Sequence, residues 1–275
     1  MIKLTVNGEF DGKTIKEYFQ KQGYSTSQIK RFKYDGQILV NGQAVTVRHP
    51  LTAGDTLELT ANVRLHSLEP SNETAALLYC DKYLYVTAKP CNIATHPDRT
   101  HRANTLGNML ASAFGEDFRL RIITRLDKVT SGLVLGALDE ITAEKLNAMQ
   151  LRREIDKTYV AETEGIVPLD CGEINLPLLR QDDKCLTVVS ADGKAAQTRY
   201  EVIERRASST IVRLYPLTGR THQLRAHMAA IGYPIIGDET YGAKSAERVK
   251  LHCERLTFKH PYEQKTVDVC LPCEF

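Results

Sequence analysis

Residues 132–138 read Gly-Leu-Val-Leu-Gly-Ala-Leu, an apolar stretch without a single polar interruption. It has the length of a strand, and turn-forming residues stand on both sides of it. Such a run reads as a strand buried inside a sheet. The segments around it point the same way. Residues 77–79, 83–87, 157–161, 198–202 and 209–215 carry the β-branched and aromatic residues of strands. Residues 255–259 and 265–270 read as a terminal hairpin around His260-Pro261-Tyr262. Helical spacing occurs at 104–114, with Leu106, Met109, Leu110 and Phe114, and at 141–151, with Ile141, Leu146 and Met149 as inward positions. A further helix over 222–231 ends at Gly232. Strands in runs with few helices between them predict an α+β protein, not alternating βαβ units.

The chain has 275 residues, of which 42% are hydrophobic and 25% charged. That predicts a soluble globular protein and excludes wholesale disorder. Its size fits one large domain, or one domain plus a small module. The net charge of +2 excludes a uniformly basic nucleic-acid coat, though not a local basic face. No stretch approaches the roughly 20 apolar residues of a membrane helix, so no membrane contact is expected. The start lacks an apolar signal-peptide core, and the seven cysteines are odd in number. Both point to reduced thiols and a cytoplasmic location.

Residues 1–65 hold nine Lys and Arg against six Asp and Glu, with the excess in Lys30-Arg31-Phe32-Lys33. Residues 14–21 predict one helix, and Ser25-Thr26-Ser27 caps a second that places Ile29 and Phe32 on one face. Residues 37–40 then read as a strand, Asn41-Gly42 as a tight hairpin turn, 43–47 as the return strand and 56–59 as another strand. This order resembles the small RNA-binding module of ribosomal protein S-four, notably in Ile38-Leu39-Val40-Asn41-Gly42 and Ala53-Gly54-Asp55. The resemblance implies that Lys30, Arg31 and Lys33 face RNA. The expected organisation is a module over 1–62, a polar linker over 63–75 and a catalytic domain over 76–275.

Two segments carry candidate chemistry. In Thr124-Arg125-Leu126-Asp127-Lys128-Val129-Thr130-Ser131-Gly132 a carboxylate sits between cations that favour its ionised form, just before the buried strand. In Thr218-Gly219-Arg220-Thr221-His222-Gln223-Leu224-Arg225, backbone N–H groups and cations gather at a helix start, which suits phosphate. Arg225 can project toward a buried carboxylate. Other chemistries fit less well. His222 and His227 are five apart, where helical zinc ligands favour four, and Cys270-Leu271-Pro272-Cys273 has no second pair. Ser131 lacks the G-x-S-x-G elbow of a serine hydrolase. Tyr79, Tyr83 and Tyr85 alternate along a strand as packing residues do.

With Lys89-Pro90-Cys91-Asn92-Ile93-Ala94-Thr95-His96-Pro97 and Lys157-Thr158-Tyr159-Val160-Ala161, these segments resemble the Rlu-type pseudouridine synthases. The match continues through Gly232-Tyr233-Pro234-Ile235-Ile236-Gly237-Asp238 and Tyr241-Gly242. The resemblance implies a mixed, mainly antiparallel sheet and isomerisation of uridines in RNA without metal or other cofactor. It makes Asp127 the nucleophile, Tyr159 a wall stacked on the target base, and Arg225 the ion-pair partner of Asp127. Leu224 packs beside the base, Arg125 and Arg220 hold RNA, and His96 lies near the site. Tyr159 is also a candidate for the C5 proton transfer. Thr124, Val129 and Cys91 depart from the family's usual residues without removing a catalytic group. Large-subunit ribosomal RNA is the expected substrate and a monomer the expected state. The alternatives are a transfer-RNA synthase and a catalytically silent RNA-binding factor of ribosome assembly.

Overall fold

The computed structural model describes residues 2–22, 29, 32–33, 37–60, 68–97, 103–115, 117–181 and 186–275. The chain forms two compact units, 1–66 and 67–275.

The first unit carries a four-stranded antiparallel sheet of β1 (Ile2–Thr5), β2 (Gln37–Val40), β3 (Gln43–Ala44) and β4 (Thr56–Thr60), in the order β1-β4-β2-β3. Asn41 and Gly42 both have positive φ, 51° and 81°, as a two-residue hairpin turn requires. The Asn41 side chain accepts from the Thr56 backbone N–H at 2.8 Å and donates to Asp55 at 2.7 Å, which ties the turn to β4. Helix α1 (Ile15–Lys21) starts at a capping box of Thr14 and Glu17. It buries Ile15, Tyr18 and Phe19 with Phe10, Phe32, Leu57 and Leu59. Strand β1 was not anticipated, and the return strand β3 is shorter than the sequence suggests. Lys30, Arg31 and the predicted cap at 25–27 lie outside the described residues; Lys33 is described and exposed.

The second unit is built on a nine-stranded mixed sheet. Its strands are β5 (Leu77–Cys80), β6 (Leu84–Lys89), β7 (Ser131–Ala137), β8 (Ile155–Glu164), β9 (Cys171–Ile174), β12 (Thr198–Arg205), β13 (Ser209–Pro216), β14 (Leu251–Lys259) and β15 (Thr266–Cys270). The order is β5-β6-β7-β14-β8-β13-β12-β9, with β15 also on β14. The β7–β14 pair is parallel, and every other pair in this sheet is antiparallel. Two short strands, β10 (Leu178–Gln181) and β11 (Leu186–Val189), form a separate ribbon.

Every residue of β7 is buried, as its unbroken apolar run requires. Gly136 is part of that fit. It pairs with Tyr85 on β6, whose ring occupies the space where a Cβ would stand. The terminal hairpin begins earlier than its sequence pattern suggests. The first residues of β14 pair with β7 and β8 at the centre of the sheet before the strand reaches β15.

Helices α2 (Leu106–Phe114), α3 (Glu140–Leu151) and α4 (Gln223–Ala230) complete the unit. Helix α3 packs on β7, and α4 packs on β11, β12 and β13. In α3 the inward face is Thr142, Leu146 and Met149. Ile141 is 65% exposed, one position off that face, and so is not the inward residue its spacing suggested. Residues 69–75, polar enough to read as a linker, bond to α2: Asn108 donates to the Glu69 carbonyl at 2.8 Å and Ser112 to the Ser71 carbonyl at 2.6 Å.

Gly132 sits where β7 meets β14. Its φ is +115°, and a Cβ there would stand 2.3 Å from the Cys253 carbonyl oxygen. Gly132→Ala therefore combines strained backbone with a backbone clash. It is expected to cost about 3 kcal/mol or more, read as a lowered urea midpoint, and to reduce activity in step.

Candidate active site

The carboxylate of Asp127 lies on the loop leading into β7, and neighbouring segments hold that loop by its backbone. Thr124 Oγ1 accepts from the Leu135 N–H at 2.9 Å. Thr95 donates to the Leu126 carbonyl at 2.8 Å. Lys89 Nζ donates to the carbonyls of Pro90, Ile93 and Lys128 at 2.8, 2.7 and 3.1 Å. Cys91 Sγ donates to the Val129 carbonyl at 3.0 Å. Thr130 N–H closes a turn on the Asp127 carbonyl at 3.1 Å. Beyond the loop, the Ser131 hydroxyl meets His252 Nδ1 at 2.8 Å and receives Arg248 Nη2. Burial draws the Lys89 ammonium down to about 8. Its three carbonyl partners are the polar environment that a buried lysine requires.

Opposite this loop, α4 presents Arg225, which is 4% exposed. Its guanidinium binds Asp238 through Nε and Nη2, both at 2.7 Å, and reaches Asp127 Oδ2 with Nη1 at 3.4 Å. The ring of Tyr241 lies 5.0 Å from the guanidinium carbon. Burial opposes the charge of Arg225, but the hydrogen bonds and charge of Asp238, joined by Asp127, raise its pKa above the ordinary arginine value. The sequence reading paired Arg225 with Asp127 alone; its shorter, two-pronged partner is Asp238.

A cleft of about 510 Å³ opens over Asp127. Its lining brings together Asp127, Tyr159, Arg225, Leu224, Arg125, Arg220 and His96 from the sequence reading. Tyr159 comes from β8, and burial pushes its phenol well above the ordinary value. Arg125, His96 and Arg220 are exposed at the rim. Arg220 Nε donates to the Ala195 carbonyl at 3.1 Å. Lys30, Arg31 and Lys33 belong to the other unit. Gln223, in the first turn of α4, organises the approach to the helix. Its side-chain oxygen accepts from Thr218 at 2.7 Å and from the Arg220 N–H at 3.0 Å.

Sequence reasoning assigned no role to Asp238, Tyr241, His222, Lys89 or Lys157, although all stand in the quoted motifs. His222 Nε2 lies 3.9 Å from Asp127 Oδ2, and Lys157 lines the cleft two residues before Tyr159. One signal was available: an arginine inside a helix with an apolar neighbour needs a full counter-charge, and Asp238 stands further along the same stretch.

Comparison with known proteins agrees with this architecture. The RNA pseudouridylate synthase family model matches residues 83–230, so the chain belongs to that family. It is an RNA pseudouridine synthase, an isomerase. The chain is 31% identical to the RNA pseudouridine synthase YlyB of Bacillus subtilis, over 98% of this chain and 94% of that one. It is 27% identical to ribosomal large subunit pseudouridine synthase C of Vibrio cholerae, over 98% and 93%. The solved structure of human RNA pseudouridylate synthase domain containing 1 superposes with a TM-score of 0.64 at 28% identity, over 75% of this chain and 87% of that one.

Asp238→Ala strands a buried guanidinium. The expected loss is about 3–5 kcal/mol in denaturant unfolding, with Asp238→Asn less severe because the amide oxygen still accepts one hydrogen bond.

Proposed function

We propose that this enzyme converts specific uridines of large-subunit ribosomal RNA to pseudouridine, with Asp127 as its nucleophile. The observation that carries the catalytic reading is the 3.4 Å contact of Arg225 on Asp127 at the floor of a cleft walled by Tyr159 and Leu224. The choice of RNA is supported by the similarity to the large-subunit enzyme of Vibrio cholerae along nearly the whole chain.

The reaction breaks the bond between uracil N1 and ribose C1′, turns the base and rejoins it through C5. An ionised carboxylate serves each route open to it: attack at C1′, addition to C6, or removal of the C2′ proton to give a glycal. Arg225 sets a positive charge 3.4 Å from the Asp127 carboxylate. Because Asp238 carries most of the charge of Arg225, Asp127 is left free to bond to substrate. A loosened base must stay in the cleft while it turns, and Tyr159 and Leu224 act as its walls. Burial raises the Tyr159 phenol above its ordinary value, its ring is the stacking wall for the base, and it is also the candidate for the C5 proton transfer. The uridine leaves its stack at a cost of a few kcal/mol, recovered from backbone contacts at Arg125, Arg220 and His96. The enzyme acts as a cytoplasmic monomer, and its first unit is the S-four-like module that adds RNA affinity.

Pseudouridine mapping of total RNA from cells without this gene, rescued by wild type or Asp127→Asn, tests the reading. The expected result is loss of discrete sites in large-subunit RNA, restored only by wild type. Sites in transfer RNA instead would reassign the substrate. Full rescue by Asp127→Asn would overturn the catalytic assignment and favour an RNA-binding role in ribosome assembly. Replacing Lys30, Arg31 and Lys33 with Ala is expected to flatten the salt dependence of RNA binding by roughly 0.7–0.9 in log–log slope per lost phosphate contact. An unchanged slope removes these residues from the RNA interface.

A further inference from the structure

The imidazole of His222 is fixed from behind and open in front. Behind it, Nδ1 lies 3.1 Å from the Tyr241 hydroxyl. That hydroxyl oxygen accepts the backbone N–H of Thr187, on β11, at 3.2 Å. The hydroxyl keeps its own hydrogen to give, and turned toward the ring that hydrogen makes Nδ1 the acceptor. In a neutral imidazole one nitrogen accepts and the other donates, so the ring hydrogen sits on Nε2. In front, Nε2 faces Asp127 Oδ2 across 3.9 Å. That gap is too long for a hydrogen bond. It leaves room for a polar substrate group beside the carboxylate.

Two further features fit a working residue. His222 holds a left-handed backbone, φ 53°, just ahead of α4. Such strain in a non-glycine residue persists where the surroundings impose it, often at reactive sites. Burial also draws its pKa below the ordinary histidine value; Arg225 and Arg180 act in the same direction, and Asp127 and Asp238 against it. The ring therefore stays neutral at pH 7 and does not cancel the charge of Asp127.

We propose that His222 is a catalytic residue whose Nε2–H gives a hydrogen bond to a carbonyl oxygen of the uracil as negative charge develops there. In attack at C1′, the bond from C1′ to the Asp127 oxygen forms, the bond from C1′ to N1 breaks, and the electron pair passes to N1 and O2. In the glycal route Asp127 takes the C2′ proton, C1′ and C2′ become doubly bonded, and the same pair passes to the base. In addition to C6, the bond from C6 to the Asp127 oxygen forms and the π pair of C5 and C6 moves to O4. Each route places charge on an exocyclic oxygen, and each needs a donor that gives a hydrogen bond without giving up its proton. A neutral imidazole fixed in one tautomer meets that need.

The inference rests on Asp127 as the reactive group, and the test separates the two. Single-turnover rates on the target RNA would be measured for wild type, His222→Leu, His222→Gln and Asp127→Asn. Losing one donor to developing charge is expected to slow His222→Leu about 100-fold, with RNA affinity within about twofold of wild type. His222→Gln, whose amide N–H stands near the position of Nε2, is expected to recover at least about tenfold of that loss. Nitrogen-15 NMR of wild-type protein should show His222 as the Nε2–H tautomer, and Tyr241→Phe should mix the tautomers. A wild-type rate in His222→Leu, a Gln variant no faster than the Leu variant, or an Nδ1–H tautomer would each overturn the proposal. Activity in Asp127→Asn would instead overturn the reading of Asp127. An inactive Asp127→Asn beside a fully active His222→Leu would sink the histidine inference alone.

Discussion

A guanidinium buried as deeply as that of Arg225 must be neutralised within the protein, because an unpaired buried charge costs several kcal/mol. Asp238, 1% exposed, does this through two hydrogen bonds of 2.7 Å. The consequence reaches Asp127. Were Arg225 bound to Asp127 alone, the pair would be strong and the carboxylate locked. With Asp238 present, Asp127 feels a cation but spends only one 3.4 Å contact on it. Positioning and reactivity of the two aspartates are thus divided, one holding the cation and the other facing the cleft.

The Asp127 loop follows the same economy on the backbone side. A loop next to a buried strand has carbonyls with no ladder to join, and each needs a donor. Residues 89–95 supply three of them, from a lysine, a cysteine and a threonine. That explains the spacing of Lys89, Cys91 and Thr95 better than any contact with substrate does. The loop's far end is fixed at Gly132, where β7 comes so close to β14 that no side chain fits. The carboxylate is aimed mainly by this frame, with the single 3.4 Å contact of Arg225 beside it.

Much of this was legible in the chain. The apolar run of β7, the Asn41-Gly42 turn and the helical spacing over 14–21 are local, and each has one low-energy reading. Of the strands that escaped notice, β1 does alternate in Ile2-Lys3-Leu4-Thr5 but over only four residues, and β9, β10 and β11 are short and mixed in polarity, with neither alternation nor a continuous apolar run. Ile141 fell on the wrong face because the residue that turns inward beside it is the polar Thr142, whose hydroxyl is satisfied by Asp139 at 2.5 Å. The cluster of Asp127, Tyr159, Leu224 and Arg225 was named from motif order, yet their convergence needs strands distant in the chain.

The sequence alone determined the class of the protein, the strand-rich architecture and the candidates Asp127, Tyr159, Leu224 and Arg225, because these depend on residue type and local order. Tertiary structure decided how those groups divide their work. It made Asp238 the main partner of Arg225, gave the Asp127 loop its carbonyl donors and turned the ring of His222 toward Asp127 through Tyr241 and Thr187. Distances among residues far apart in sequence settle such questions, since a hydrogen bond or an ion pair weakens steeply within an ångström or two of misplacement.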